Sequence, residues 1–314
     1  MKSKVLSVAI LTATLLSTAL RAEEAGSGHY LPGAMSSFID VPPGKEGFVY
    51  VNLFTFYNGS ATAGKQLSLA GQVVLNVNAD VYADTSLFLY QTPWKIAGGQ
   101  YAVGIAVPYV WMNVRGDVQV GARTAAARDT ASGLGDISFF PLMLVWKKGD
   151  LSYGVNLGIY APTGEFTRGA LANLGKNFWT FEPSAYVSWL SSKIGTEVSV
   201  FAGFDFNTKN DTTDYHSGTT FHVDATVAQH LPLGKGFVGV GANAFYYQQI
   251  TADSGSGAKL GGFEGRTTGV GPVLSYVTKV GGKDVVAELK WLPELGVERR
   301  LKGDTIWFKA AVAF

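Results

Sequence analysis

The sequence predicts an all-β fold, a transmembrane antiparallel β-barrel of about twelve strands, and three observations predict it. Residues are 47% hydrophobic and only 16% charged, below the quarter or so usual in soluble domains. Yet past the N-terminus no apolar run approaches the roughly 18–20 residues that a membrane helix needs. The segments after Gly47 instead alternate apolar with small or polar residues, the period-2 pattern of strands. The connections between them alternate short and long, as the periplasmic turns and extracellular loops of membrane barrels do, a regularity that a soluble sandwich has no reason to keep.

Taken in order, the chain opens with Lys2 and Lys4, the apolar run Val5–Leu20 and a cleavage point at Ala22. Residues 1–22 therefore read as a secretory signal peptide. Without it, Lys2, Lys4 and Arg21 leave the 25 basic residues, so 22 remain against 24 acids, a net −2. Nothing in that balance favours nucleic acid. Residues 23–46 hold Pro32, Pro42, Pro43 and four glycines, which bar a long strand or helix. This segment is expected to plug the lumen, with His29, Tyr30 and Phe38 as contacts; the alternative is a periplasmic tail.

The barrel proper is expected over 47–314. Strands are read at 47–57, 71–92, 100–113, 136–147, 151–160, 178–190, 196–207, 219–231, 236–250, 265–278, 284–292 and 304–314. Short turns fall at Trp94–Gly99, Lys148–Asp150, Ser191–Gly195, Pro232–Lys235 and Lys279–Lys283. Long loops are expected at Asn58–Ala70, Val114–Gly135, Ala161–Asn177, Thr208–Gly218, Thr251–Glu264 and Pro293–Gly303. An even strand count puts both ends of the barrel on the short-turn side.

Several strands resolve into two faces. Val198, Val200, Ala202, Phe204 and Phe206 oppose Glu197, Ser199, Asp205 and Asn207; Phe221, Val223, Ala225 and Val227 oppose His222, Asp224 and Thr226. One face suits lipid and the other a polar or filled interior. Trp94, Trp111, Trp146, Trp179, Trp189, Tyr246, Tyr247 and Trp291 cluster near strand ends like interfacial girdles. The terminal Phe314, preceded by alternating apolar residues, resembles the signal read by the outer-membrane assembly machinery. No cofactor is expected. The expected location is the outer membrane of a Gram-negative bacterium, with the lipid bilayer and lipopolysaccharide as surroundings.

A run of short segments resembles the outer-membrane channel family named for the meta-pathway of phenol degradation. They are Glu24-Ala25-Gly26-Ser27-Gly28-His29-Tyr30-Leu31-Pro32-Gly33, Gly133-Leu134-Gly135-Asp136, Tyr160-Ala161-Pro162-Thr163-Gly164, Gly175-Lys176-Asn177-Phe178-Trp179-Thr180-Phe181-Glu182-Pro183, Asp214-Tyr215-His216-Ser217-Gly218, Tyr247-Gln248-Gln249 and Gly269-Val270-Gly271-Pro272. The resemblance spans nearly all the chain after residue 22. It implies a twelve-stranded barrel occluded by its N-terminal segment. It also implies uptake of hydrophobic small molecules in the manner of fatty-acid and toluene channels, with a lateral opening in the wall.

Among individual residues, Pro108, Pro141, Pro183 and Pro272 sit inside strands, where each removes a ladder donor. Pro183 and Pro272, preceded by Glu182 and Gly271, are the candidates for a side opening. Inward charges should pair, because a buried unpaired charge is costly. Glu288 and Lys290 are expected beside Lys309, and Glu197 and Asp205 near His222 and Asp224, with Asn243 one strand on. They form either a polar gate or a network that only rigidifies. His29, His216, His222 and His230 give no recognisable metal motif. Without cysteine no thiol chemistry exists, and Asp214, His216 and Ser217 are the only compact catalytic candidate. The chain is therefore expected not to be an enzyme. The expected function is passive uptake of hydrophobic or amphipathic small molecules, the alternatives being a porin for small hydrophilic solutes or a structural or adhesive barrel. The low charge and the segment Ile137–Leu144, apolar on both faces, favour hydrophobic cargo.

Overall fold

The computed structural model describes residues 24–262 and 264–314; the expected signal peptide lies outside them. The strands are β1 (Gly47–Leu69), β2 (Gln72–Ile96), β3 (Gly99–Val120), β4 (Arg123–Leu134), β5 (Ile137–Lys148), β6 (Leu151–Ala161), β7 (Thr180–Leu190), β8 (Thr196–Asn207), β9 (Thr220–Leu233), β10 (Gly236–Gln249), β11 (Arg266–Val280), β12 (Lys283–Glu298) and β13 (Lys302–Ala313). All pairings are antiparallel between sequence neighbours, except that β3 pairs with both β4 and β5, and β1 closes the ring on β13. The outer half of β3 (Tyr109–Val120) pairs β4 and its inner half (Gln100–Ala106) pairs β5. Strands β4 and β5 are thus one wall strand interrupted at Gly135–Asp136, and the closed barrel has twelve.

Period-2 alternation builds the wall. Along β9, His222, Asp224, Thr226 and His230 are buried, whereas Val227 and Leu231 are exposed. Exposed apolar side chains such as Phe204, Val240, Leu274, Leu289 and Phe308 line the outside, the surface a bilayer would cover. Closure pairs the strand edges, which an open sheet in lipid could not do. Tight turns follow from backbone that few residues adopt: Ala70 and Gly71 have φ of 46° and 82°, and Gly281 and Gly282 have 57° and 81°, the two positive angles of the preferred hairpin turn.

Two expected loops are strands. Residues 58–69 continue β1, and 114–134 form the outer part of β3, a turn at Gly121 and β4. Above Ser60, the last residue of β1 paired with β13, the first four wall strands rise as a sheet of their own. The segments Ala61–Lys65 and Ala125–Ser132 are rich in Ala, Gly, Ser, Lys and Arg, poor intrinsic strand formers. Packing decides instead: Ala61, Leu67, Leu69, Val74, Val77, Ala79 and Val114 form a core with Leu171, Ala172 and Leu301 from neighbouring loops. Tyr247 was expected in an aromatic girdle but is fully buried on the inner face, its ring 4.2 Å from the Arg300 guanidinium.

Candidate functional site

The interior has two unlike halves, set by register. On β1, β2 and β3 the inward residues fall opposite one another in apolar layers. Val51 faces Leu87, which faces Ala106; Ala83 faces Val110; Val81 faces Met112. On β7 to β13 the inward residues include Glu182, Glu197, Asp205, His222, Asp224, Asn243, Glu288, Lys290 and Lys309, all buried.

The N-terminal segment lies against the polar half. Tyr30 donates its hydroxyl to Asp224 and stacks on the His222 ring, with centroids 3.6 Å apart. Gly33 N–H donates to Asp224 Oδ1 at 2.6 Å, while Lys290 donates to Gly33 O at 2.6 Å and to Ser36 Oγ at 2.9 Å. Ser37 donates to Glu288 at 2.5 Å, and Phe38 N–H to Glu197 at 2.8 Å. The Phe38 ring stands edge-on to His230, itself 2.9 Å from Glu197. Lys309 donates to Asp40 at 2.6 Å. His29 contacts Thr180 Oγ1 at 2.7 Å and Asp136 Oδ2 at 2.9 Å. Asn243 turns instead to the wall, donating to Ala225 O and Thr226 Oγ1.

These contacts shift the titration of the segment's own groups. Burial, then the Asp224 carboxylate, raises the Tyr30 phenol well above its usual value. Burial would raise Asp40, but the ammonium groups of Lys309 and Lys290 outweigh it and hold the carboxyl below its usual value. Burial raises Glu24, which accepts from Asn210 at 2.9 Å. Gly33 sits at φ +86°, and a Cβ there would lie 2.2 Å from Leu292 Cδ1, so the turn needs glycine.

Between the segment and the apolar half lies a cavity of about 440 Å³. Its wall is Val49, Val51 and Leu53 of β1, Val81 and Leu87 of β2 and Met112 of β3, facing Leu31, Met35 and Ile39 of the segment. The cavity also reaches Pro108, Gly135 and Leu174, where β4 gives way to β5. Outward of that break β4 has no partner strand on its second edge. The loop 162–179 covers it, with Leu171 and Ala172 N–H groups both 3.1 Å from Asp129 Oδ2. Asp136 holds the inner end of this closure, accepting from Gly164 N at 2.9 Å and Lys176 N at 2.7 Å besides contacting His29. The sequence signal for Asp136 is its place after Gly135 in Gly133-Leu134-Gly135-Asp136, where strand alternation lapses.

Pro183 and Pro272 also mark ladder gaps. Between β7 and β8, Phe181 pairs Phe206 and Ser184 pairs Gly203, with Glu182 and Pro183 unpaired on that side. Between β11 and β12, Gly269 pairs Glu294 and Val273 pairs Lys290, skipping Val270 to Pro272. Both prolines remain paired on their other edge, with Leu157 and Ala242, and neither lines the cavity. In the outer loops, His216 Nε2 contacts Asn207 O and Nδ1 faces Ser254 Oγ at 3.4 Å. Asp214 binds Lys209 and Ser256, so Asp214 and His216 of the compact catalytic candidate face different partners.

The family model described as “Putative MetA-pathway of phenol degradation” matches residues 64–310. No curated protein matches the sequence. Among solved structures, an outer membrane channel from Pseudomonas putida F1 is similar, with a TM-score of 0.61 at 14% identity, covering 91% of this chain and 100% of that one. The β domain of the Bordetella autotransporter Brka follows with a TM-score of 0.47 at 12% identity, covering 86% and 99%. At these identities the likeness is one of fold.

Proposed function

The chain belongs to this MetA-pathway phenol-degradation family, and from that premise we propose that it is a passive channel of a Gram-negative outer membrane that takes up hydrophobic or amphipathic small molecules. The observation that carries the reading is the division of the interior. Most of the polar inward residues, Glu197, His222, Asp224, Glu288, Lys290 and Lys309, are engaged by the N-terminal segment, which acts as a plug, and the space left is walled largely by Val51, Leu53, Val81, Leu87 and Met112. Apolar cargo entering that space gains roughly 25 cal/mol for each Å² it removes from water, whereas a hydrophilic solute would meet a lining that is mostly apolar, with polar groups such as Asp40, Glu294 and Lys309 already engaged by protein partners. The likeness to an outer membrane channel agrees with this reading.

Cargo would descend between the outer loops into the cavity. A lateral exit into the membrane is part of the proposal. The break at Gly135–Asp136 suits it better than the Pro183 or Pro272 gaps, because Pro108 and Gly135 border the cavity and the two prolines do not. Wall closure there depends on a loop held by Asp129 and Asp136 side chains, and side-chain contacts separate more readily than a continuous ladder. A passive barrel has no energy source, so the gradient or downstream metabolism drives flux.

The test is uptake of labelled aromatic hydrocarbons, alkylphenols and long-chain acids in cells with and without the gene. Uptake of at least one class should fall on deletion and return with the intact gene. No difference for any compound, with rapid swelling of protein-bearing liposomes in small sugars, would make the protein a hydrophilic porin instead.

A further inference from the structure

We propose that Glu182, Asp205 and His222 form a binding site for one divalent transition-metal cation inside the barrel. The three residues sit on the adjoining strands β7, β8 and β9. Register aligns them: Asp205 pairs Thr220, His222 pairs Gly203, and the unbroken β7–β8 register, Phe181 with Phe206 and Ser184 with Gly203, puts Glu182 across from Asp205. One atom from each lies within 4.8 Å of the others. Glu182 Oε1 is 3.4 Å and Asp205 Oδ1 3.9 Å from His222 Nε2. The second oxygen of each carboxylate is oriented from outside the cluster, by the Tyr160 hydroxyl on Glu182 and the Thr220 hydroxyl on Asp205, each at 2.5 Å.

The independent observation is the imidazole. His222 is 2% exposed, and neither ring nitrogen makes a hydrogen bond, a costly state for a buried polar ring. Two carboxylates this close and this buried also call for positive charge beside them. An ion bound at about 2.0–2.2 Å from nitrogen and oxygen ligands answers both needs. One imidazole and two carboxylates suit a first-row transition ion, whereas all-oxygen sets suit calcium or magnesium. The ring packs on Gly203, where an added Cβ would lie 2.6 Å from Nε2, so a side chain there would crowd the site.

The site also touches the N-terminal segment. His222 Nδ1 lies 3.9 Å from Asp224, the carboxylate that Tyr30 and Gly33 hold, and Tyr30 covers the ring face. Ring and segment thus pack directly on each other, so a bound ion would brace the docked segment. This goes beyond the transport reading, which stands whether or not an ion binds.

The experiment uses the full-length folded protein in detergent, stripped with a chelator and titrated with Zn²⁺ by calorimetry. Folding is checked by resistance of the barrel to SDS unfolding. The wild type should bind one ion per chain. His222→Ala and Glu182→Gln should each lose at least about tenfold in affinity, and His216→Ala in the outer loop should bind as wild type. No binding by the folded wild type, or unchanged binding by folded His222→Ala, overturns the proposal. Should His222→Ala not fold, paramagnetic resonance of Cu²⁺ bound to His216→Ala decides: coupling to a single imidazole nitrogen supports the site, and its absence overturns it.

Discussion

Lys309, on the last strand, donates to Asp40 of the N-terminal segment at 2.6 Å, with Glu288 3.9 Å behind it. The contact joins residues 269 positions apart and closes the segment's inner end against the polar wall. Removing one partner of a buried pair typically costs about 3–5 kcal/mol, because the other charge is left alone. Lys309→Met should therefore release this end, and single-channel conductance in planar bilayers should rise above that of the wild type. Equal conductance would mean that the segment's other contacts suffice to hold it.

The same pair sets a pH dependence. Asp40 is held below its usual value by Lys309 and Lys290. Its stabilisation is complete above the carboxyl's unfolded value of about 4 and is lost as pH falls through the lower folded value. The difference in conductance between wild type and Asp40→Asn should be constant from pH 8 to about 5 and shrink only under strongly acid conditions. A transition near neutral pH would point to another group.

Gly33→Ala should undock the segment's middle. The residue is at φ +86°, and the new Cβ would meet Leu292 Cδ1. Left-handed backbone costs about 1–2 kcal/mol for a non-glycine residue, and overpacking about 1–3 kcal/mol more. Faster cleavage of the segment by added protease is the readout, with barrel stability in SDS unchanged.

Asp136→Ala should loosen the loop 162–179. It removes the acceptor of the Gly164 and Lys176 N–H groups, at about 1–3 kcal/mol for each buried donor left unpaired. Hydrogen exchange at Gly164 and Lys176 should accelerate, while exchange along β8 to β10 stays slow.

The twelve-strand barrel and the inward set were legible because period 2 assigns faces strand by strand: Glu197, Asp205, His222 and Asp224 needed only alternation. Which of them meet was not legible, because contact across strands depends on register. The register of β7, β8 and β9 sets Glu182 against Asp205 and His222. Histidine spacing along the sequence shows no metal motif, because the cluster joins one histidine to two carboxylates from other strands. The rise of β1 to β4 was missed because Ala, Gly and Lys carry little strand propensity, and the core that fixes them borrows Leu171, Ala172 and Leu301 from distant loops. The apolar wall of β1 to β3 was in the sequence as Val49, Val51, Leu53 and Leu87. Its meaning appeared only once the polar half was seen engaged by the segment.

The most direct measurement places a charge in that wall. Leu87→Asp faces the cavity between Val51 and Ala106 and leaves the outward face intact. In a deletion strain complemented with this variant, uptake of the hydrophobic compound that depends on the wild type should fall by roughly tenfold or more, since displacing a favourable apolar contact of a leucine is worth about 1.5–3 kcal/mol, while folded protein in the membrane and sugar permeation stay at wild-type levels. Undiminished hydrophobic uptake by a folded Leu87→Asp barrel would contradict the claim that cargo passes through this cavity.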